Sequence, residues 1–269
     1  MEYSNNTRIY LQDLDLAQPT RDLEFLQELQ SRHIARYSFN SLAVLQGQAI
    51  SIESDGVFDK IVTQGRGGYC FEHNKLVFDV LQELGFDVRI LLARVINNRD
   101  IDAPRTHRIT LVNLPDGHYI VDAGFGSLCP RYPLKLELET MQDQGDASYR
   151  LIRNTDGDYC IQLRKDDGFF SLYTFDTNRY TEADCRTGHF YSHRFPDAVF
   201  VNNLVVSRKF FNETHSLVNG EYHLTKNAQT KVTKICNAAE LANILTQVFE
   251  QKLDAGVVED LYHRFVVEA

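Results

Sequence analysis

The sequence predicts an α+β fold, and three observations carry that prediction. Through much of residues 1–85, apolar residues recur at three- and four-residue spacing. From Phe86 the period shortens, and short β-rich runs follow with Gly, Asp and Pro turns between them. After residue 190, extended runs give way to another helical stretch near the C-terminus. The expected divisions are 1–85, mainly helical; 86–190, a barrel or curled sheet; and 191–269, mixed. At 269 residues the chain is longer than one ordinary domain needs, which suits substructures around connected cores.

In the helical part, Thr20 is expected to cap a helix with Asp22 and Glu24 in its first turn and Leu23, Leu26 and Leu29 as its stripe. Phe58, Ile61 and Val62 predict a short helix before the run Gly65-Arg66-Gly67-Gly68-Tyr69-Cys70-Phe71-Glu72-His73-Asn74. Phe71, Asn74, Val77, Phe78 and Leu81 then keep helical spacing, and Gly85 suits the position just past the end. Cys70 therefore falls in the first turn, where free N–H groups and the helix dipole favour a thiolate. An ordinary thiol is only a few per cent ionised at pH 7; a pKa of about 6 would make it roughly 90% ionised. Gly67 and Gly68 let other groups approach the sulfur. The competing reading of Cys70 is a buried, inert thiol.

Val88 to Val95 reads as the first strand. Residues 104–114 and 118–126 read as two more, joined by the turn signal Pro115-Asp116-Gly117. This hairpin brings His107 and Asp122 near each other, and a Cys–His pair oriented by a carboxylate is an activated nucleophile. The register matters. For His107 and Asp122 to share a face, opposed residue numbers must sum to an odd number, with Ile109 opposite Asp122. A Pro-Asp-Gly turn with a glycine bulge pairs Leu114 with His118 and puts the two on opposite faces. A working triad thus demands a different turn or an extra bulge between residues 110 and 121. Residues 149–152, 159–163 and 171–175 predict further strands, with a turn at 154–158. In the last part, 202–207 and 221–224 read as extended and 237–253 as helical.

Composition narrows the function classes. The formal charge of −9 argues against a nucleic-acid footprint. No run of eighteen apolar residues predicts a membrane span, and Met1 to Asn6 shows no signal core. Five scattered cysteines, an odd number, suggest reduced thiols and a cytoplasmic location.

The segments RGGYCFEHN (66–74), PRTHR (104–108) and VDAGFG (121–126), in this order and spacing, resemble the motifs of the arylamine N-acetyltransferases. Pro19-Thr20, Gly85 to Val88 and Phe195 to Phe200 fit as well, so the likeness covers most of the chain and is strongest over 60–126. The resemblance implies a helical bundle, a β-barrel and an α/β lid, with a cysteine-protease-like catalytic core. It implies Cys70, His107 and Asp122 as the triad. An acetyl group would pass from acetyl-CoA to an arylamine or hydrazine by a ping-pong route through acetyl-cysteine. Acetyl-CoA would be a co-substrate, with no permanently bound cofactor. Phe39, Tyr69, Phe125 and Gly126 are the substrate-binding residues it implies. It also places Cys185, His189 and His193, whose spacing and donor types suit zinc, in the link after the barrel rather than in a metal site.

The chain departs from the family pattern in places. Ser38-Phe39-Asn40-Ser41 stands where the family has Pro-Phe-Glu-Asn, so Arg66 loses an acidic partner and is expected as a buried structural cation. Residues 254–269 run past the usual end, to lie near the CoA cleft or to cover the lid. Arg208-Lys209 and Lys226 to Lys234 read equally as local donors or as solvated charges. Two other enzyme readings compete: an amide synthase of the same fold using another acyl donor, and a cysteine hydrolase. A binding protein that kept the fold is disfavoured by the intact Cys, His and Asp.

Overall fold

The computed structural model describes residues 3–16 and 18–268. Helix α1 (Asn5–Asp13) starts at Ser4, whose Oγ accepts from the Thr7 N–H at 3.2 Å. Helix α2 (Leu23–Arg36) is capped by Asp22 rather than Thr20, because the Asp22 carboxylate reaches the Phe25 N–H at 2.9 Å. A two-residue strand β1 (Phe39–Asn40) and the short helices α3 (Leu42–Leu45) and α4 (Ser54–Phe58) follow, α4 running into a π turn over Asp59–Thr63. Helix α5 (Cys70–Glu83) then packs with α1 and α2 around Tyr10, Leu26, Leu29, Val77 and Leu81.

Eight strands come next: β2 (Asp87–Val95), β3 (Arg105–Leu114), β4 (Gly117–Val121), β5 (Leu134–Lys135), β6 (Gln142–Asp143), β7 (Ser148–Arg153), β8 (Tyr159–Lys165) and β9 (Gly168–Phe175). Their order is β5-β4-β3-β2-β9-β8-β7-β6, all neighbours antiparallel, in a nearly closed barrel. At the seam a side chain imitates a strand. The Gln142 amide accepts from the Lys135 N–H at 2.7 Å and donates to the Lys135 carbonyl at 2.9 Å. Inside lie Leu91, Ile109, Leu111, Ile120, Leu151, Ile161 and Tyr173.

The remaining elements are α6 (Glu182–Arg194), α7 (Val199–Asn202), β10 (Val205–Lys209), β11 (Glu213–Val218), β12 (Glu221–Lys226), β13 (Gln229–Lys234), α8 (Ala238–Gln247) and α9 (Ala255–Tyr262), with a last π turn over His263–Val267. The lid sheet runs β1-β10-β11-β12-β13, so its first strand comes from the N-terminal part. Leu42 and Leu45 also join the lid core with Val206, Leu217, Leu241, Val258, Leu261 and Phe265. Residues past 254 therefore cover the lid core. The division expected at 190 falls inside α6, one uninterrupted helix, which makes α6 a connector. No helix of the described residues is long and apolar enough to cross a membrane.

Arg208 and Lys209 are not solvated charges. Arg208 pairs with Glu250 at 2.8 Å and donates to the Ala35 carbonyl at 2.7 Å. Lys209 pairs with Asp146 at 2.8 Å and donates to the Cys129 carbonyl at 2.7 Å. Strand β10 thereby ties the lid to the bundle and to the barrel.

A buried chain of polar rings supports α5 from the bundle side. His73 Nε2 faces the Ser38 carbonyl at 3.2 Å and must donate, so its Nδ1 accepts from His33 Nε2 at 2.7 Å, and His33 Nδ1 accepts from the Tyr10 hydroxyl at 2.7 Å. Burial lowers the His73 pKa from the usual 6.5 to about 4. The unfolded chain takes up this proton near 6.5, the native protein only near 4, so stability is complete above 6.5 and is lost as pH falls through that window. Denaturant midpoints should accordingly drop between pH 7 and pH 4, and His73→Asn should make that slope shallower whatever it does to stability at pH 7. An unchanged slope in a folded variant would remove His73 as its source.

Candidate active site

The site depends on the β3–β4 turn. Leu114 pairs with Gly117 and Thr110 with Val121, without a register shift between them. This is a two-residue turn over Pro115-Asp116, not the glycine-bulge turn that Pro-Asp-Gly suggests. Gly117 enters it at φ +146°, a conformation open to glycine. The pairing sums are odd, so Asp122, just past the end of β4, falls level with Ile109 and shares a face with His107.

His107 Nε2 lies 2.8 Å from Asp122 Oδ2, and both side chains are buried. The same oxygen accepts from the Tyr173 hydroxyl at 2.9 Å. Oδ1 accepts from Asn74 Nδ2 and from the Gly124 N–H, each at 2.9 Å. Burial alone would raise the Asp122 pKa, but the His107 ring and the Asn74 and Gly124 donors hold it below the ordinary carboxylate value. Asn74 also donates to the Arg108 carbonyl at 2.6 Å and accepts from the Ala123 N–H at 2.8 Å. Gln30 braces the Asp122 N–H at 3.2 Å.

Cys70 is the first residue of α5, as the spacing predicts. The Tyr69 N–H donates to the Glu72 carboxylate at 3.1 Å, and Lys60 pairs with Glu72 at 2.5 Å. Sγ lies against β3. It donates to the Thr106 carbonyl at 3.5 Å, and the backbone N–H groups of Arg108 and Phe71 also face it. Thr106 and Arg108 flank His107. Burial, reinforced by the Asp122 charge, pushes the Cys70 thiol up, and the two N–H groups offset this only partly, against the lowering that a helix start alone would give. Since Asp122 occupies Nε2, Nδ1 is the His107 nitrogen available to take a proton.

The other expected site residues separate into two groups. The Phe125 ring stands edge-on to His107, centroids 5.0 Å apart, and against Tyr173 at 4.9 Å. Gly126 has φ +67°, and a Cβ there would sit 3.4 Å from Phe39 Cδ1. Phe39 itself stacks on His73 at 6.3 Å and meets Phe200 at 5.7 Å. Tyr69, in contrast, is fully buried with its hydroxyl on His189 Nδ1, so it braces the start of α5 and offers no free face to a substrate. Arg66 is half-buried rather than enclosed, and Gln48 Oε1 accepts from it in place of an acid. Cys185, His189 and His193 do share α6, but each is engaged: Arg108 lies 3.7 Å from the Cys185 sulfur, His189 bridges Tyr69 and the Ile50 carbonyl, and His193 Nδ1 donates to the His189 carbonyl at 2.6 Å. Among the described residues no group of three His, Cys, Asp or Glu could hold a metal ion.

Sequence reasoning missed Asn74, Tyr173 and Gln30. Asn74 had a signal, since it follows Cys70 by one helical turn and so shares its face. Tyr173 had a weaker one, a hydroxyl between the apolar residues Leu172 and Phe175 of a strand facing the barrel core. A cavity of about 470 Å³ lies elsewhere, between the 143–146 loop and the lid, with Arg131, Tyr132, Phe211, Glu213 and Thr225 in its walls.

A family model described as N-acetyltransferase matches residues 22–258. The chain is 32% identical over 260 residues to the arylamine N-acetyltransferase / N-hydroxyarylamine O-acetyltransferase of Salmonella typhimurium, covering 96% of this chain and 90% of the relative. The solved arylamine N-acetyltransferase structure from Salmonella typhimurium superposes with a TM-score of 0.91 at 27% identity, covering 98% of this chain and 100% of that one. The Mycobacterium marinum arylamine N-acetyltransferase in complex with CoA does so with a TM-score of 0.89 at 30% identity, covering 95% and 98%.

Asp122→Asn keeps the shape of the carboxylate and removes its charge, so a cationic His107 loses its partner. Acylation of Cys70 by a thioester should fall by roughly 10²–10⁴-fold. A stopped-flow loss of less than about threefold, in a variant with normal circular dichroism, would reduce Asp122 to a structural role.

Proposed function

The chain belongs to the arylamine N-acetyltransferase family, and we propose that it moves an acetyl group from acetyl-CoA to the nitrogen of an arylamine or hydrazine through an acetyl-Cys70 intermediate. The observation that carries this reading is the buried His107–Asp122 pair at 2.8 Å beside a cysteine whose sulfur rests on the backbone either side of His107.

In the first step His107 acts as general base. His107 Nδ1 takes the Sγ proton while Asp122 stabilises the cationic ring. The sulfur attacks the thioester carbonyl, and N–H groups at the start of α5, that of Cys70 among them, face the developing oxyanion. Collapse breaks the bond to the CoA sulfur, which leaves with the proton from His107. The acceptor nitrogen then attacks acetyl-Cys70, His107 takes its proton, and collapse returns that proton to the Cys70 sulfur. Phe39 and Phe125 supply the aromatic surface for a planar acceptor, and Gly126 leaves room beside Phe39.

If the acyl-enzyme is real, CoA departs before the amine reacts. Double-reciprocal plots against acetyl-CoA at several amine concentrations should be parallel, and acetyl-CoA alone should release a burst of CoA close to one per active site. Mass spectrometry should find the acetyl group on Cys70 and lose it in Cys70→Ala. Intersecting lines with no burst would overturn the ping-pong route; acyl hydrolysis indifferent to amine would point to a hydrolase instead.

A further inference from the structure

Helix α6 contributes nothing to the proposed triad, yet it touches the chain on both sides of it. Its buried face is Cys185, Gly188, His189 and Ser192. At its first turn Glu182 holds the fully buried Arg108 with two hydrogen bonds, at 2.8 and 3.0 Å, and Lys75 at 3.2 Å. Arg108 follows His107 directly; Lys75 lies on α5 beyond Cys70. At mid-helix, a Cβ on Gly188 would stand 2.5 Å from the Arg105 carbonyl oxygen and 2.7 Å from the Phe71 ring. Phe71 follows Cys70 and Arg105 lies two residues before His107. One residue further, His189 Nδ1 meets the hydroxyl of Tyr69, which precedes Cys70, and Nε2 meets the Ile50 carbonyl at 3.1 Å.

From these contacts we infer that α6 is a strut that sets the spacing between the Cys70 helix and the His107 strand, with Glu182 and Gly188 as positioning residues. A glycine in a helix interior weakens a fold relative to alanine, and a buried guanidinium such as Arg108 costs desolvation that its half-buried partner Glu182 must offset. Their placement here is accounted for by what they fix. Gly188 lets α6 approach the β3 backbone and the Phe71 ring at once, and Glu182 locks β3 to α5 with directional bonds. The same face explains why Cys185 and His189 recur at helical spacing: they are buried contacts of the strut, not metal ligands. Proton transfer between sulfur and imidazole depends steeply on their separation; a shift of about 1 Å can cost roughly 10²-fold in rate.

This inference rests on the proposed roles of Cys70 and His107, and its test reads the pair without requiring acetyl transfer. Iodoacetamide alkylation of Cys70 would be followed against pH by peptide mapping, which separates it from the exposed Cys236. Single-turnover acetylation by acetyl-CoA and thermal unfolding would be measured beside it. The variants are Gly188→Ala, Glu182→Gln and, on the outer face of α6, Arg186→Ala, whose partner Glu53 is also exposed. Gly188→Ala and Glu182→Gln should each slow Cys70 acetylation by about 10–10²-fold in folded protein. Both should also shift the pH profile of alkylation and leave the acetyl-CoA KM within about threefold of wild type. Arg186→Ala should match wild type. Lower melting temperatures with unchanged pH profiles and acetylation rates would overturn the strut. So would a Gly188→Ala chain that fails to fold beside a Glu182→Gln enzyme with wild-type rates and profile. Alkylation profiles shifted in the two variants, beside a wild-type protein that takes no acetyl group, would uphold the strut and sink the acetyltransferase reading.

Discussion

The structure around the site depends on one buried charge. Asp122 sits out of water, where an unpaired carboxylate would cost several kcal/mol or surrender its charge. Its four donors come from different places: His107 on β3, Tyr173 on β9, Asn74 on α5 and the Gly124 N–H in its own loop. Each donor imposes a condition. The first requires the odd β3–β4 register. The second requires β9 to turn a hydroxyl inward. The third fixes the depth of α5 against the sheet. The fourth requires the chain to leave β4 after Val121 and double back. Gly124 makes the third and fourth compatible, since a Cβ there would lie 2.8 Å from both the Cys70 Cα and Asn74 Nδ2. The requirements of one carboxylate thus bring the helix start and the barrel wall together.

Local patterns were legible in the sequence to the extent that local physics decides them. The start of α5 at Cys70, strands β2, β7, β8 and β9, and the turn near 154–158 follow from periodicity and turn residues. The N-cap of α2 lies two positions past Thr20: Thr and Asp both cap helices, Asp the better of the two, and the Asp22 carboxylate reaches the Phe25 N–H. Helix α1 has Thr7, Tyr10 and Leu11 as its buried residues and a polar remainder, too weak a stripe to stand out. Strand β13 is exposed along its whole length and shows no alternation to detect. The helix expected over 237–253 stops at Gln247, and Glu250 turns to φ +56°, where its carboxylate meets Arg208 from β10. That stop is a tertiary decision and leaves no mark in the local sequence.

The candidate site was legible as residue types and spacing, less so as electrostatics. A cysteine at a helix N-terminus suggests a thiolate only if the helix end is wet. Here Sγ is buried beside a carboxylate, and desolvation prevails over the helix end and two N–H groups. The consequence is chemical. In the proposed reading the buried sulfur, resting on the Thr106 carbonyl, depends on His107 at the moment of attack. Arg66 shows the same limit. The sequence suggested a buried cation without a partner; the structure leaves it half exposed with Gln48 as acceptor, because Asn40 turns its amide to the Arg66 carbonyl at 3.0 Å instead.

Several ion pairs with one buried partner tie parts of the fold together. Arg208–Glu250 joins lid strand to the segment after α8; Lys209–Asp146 and Arg131–Asp146 join lid and barrel; Arg108–Glu182 joins barrel and connector; Lys60–Glu72 secures the start of α5. Such pairs are weak contributors to stability once desolvation is counted. They have something apolar contacts lack, which is direction. An apolar surface tolerates sliding by a fraction of an ångström, since its free energy follows area. A two-point guanidinium–carboxylate contact does not. If Cys70 and His107 act as proposed, nucleophile and base come from different substructures, and junctions of the second kind hold a spacing that the cores alone would leave loose.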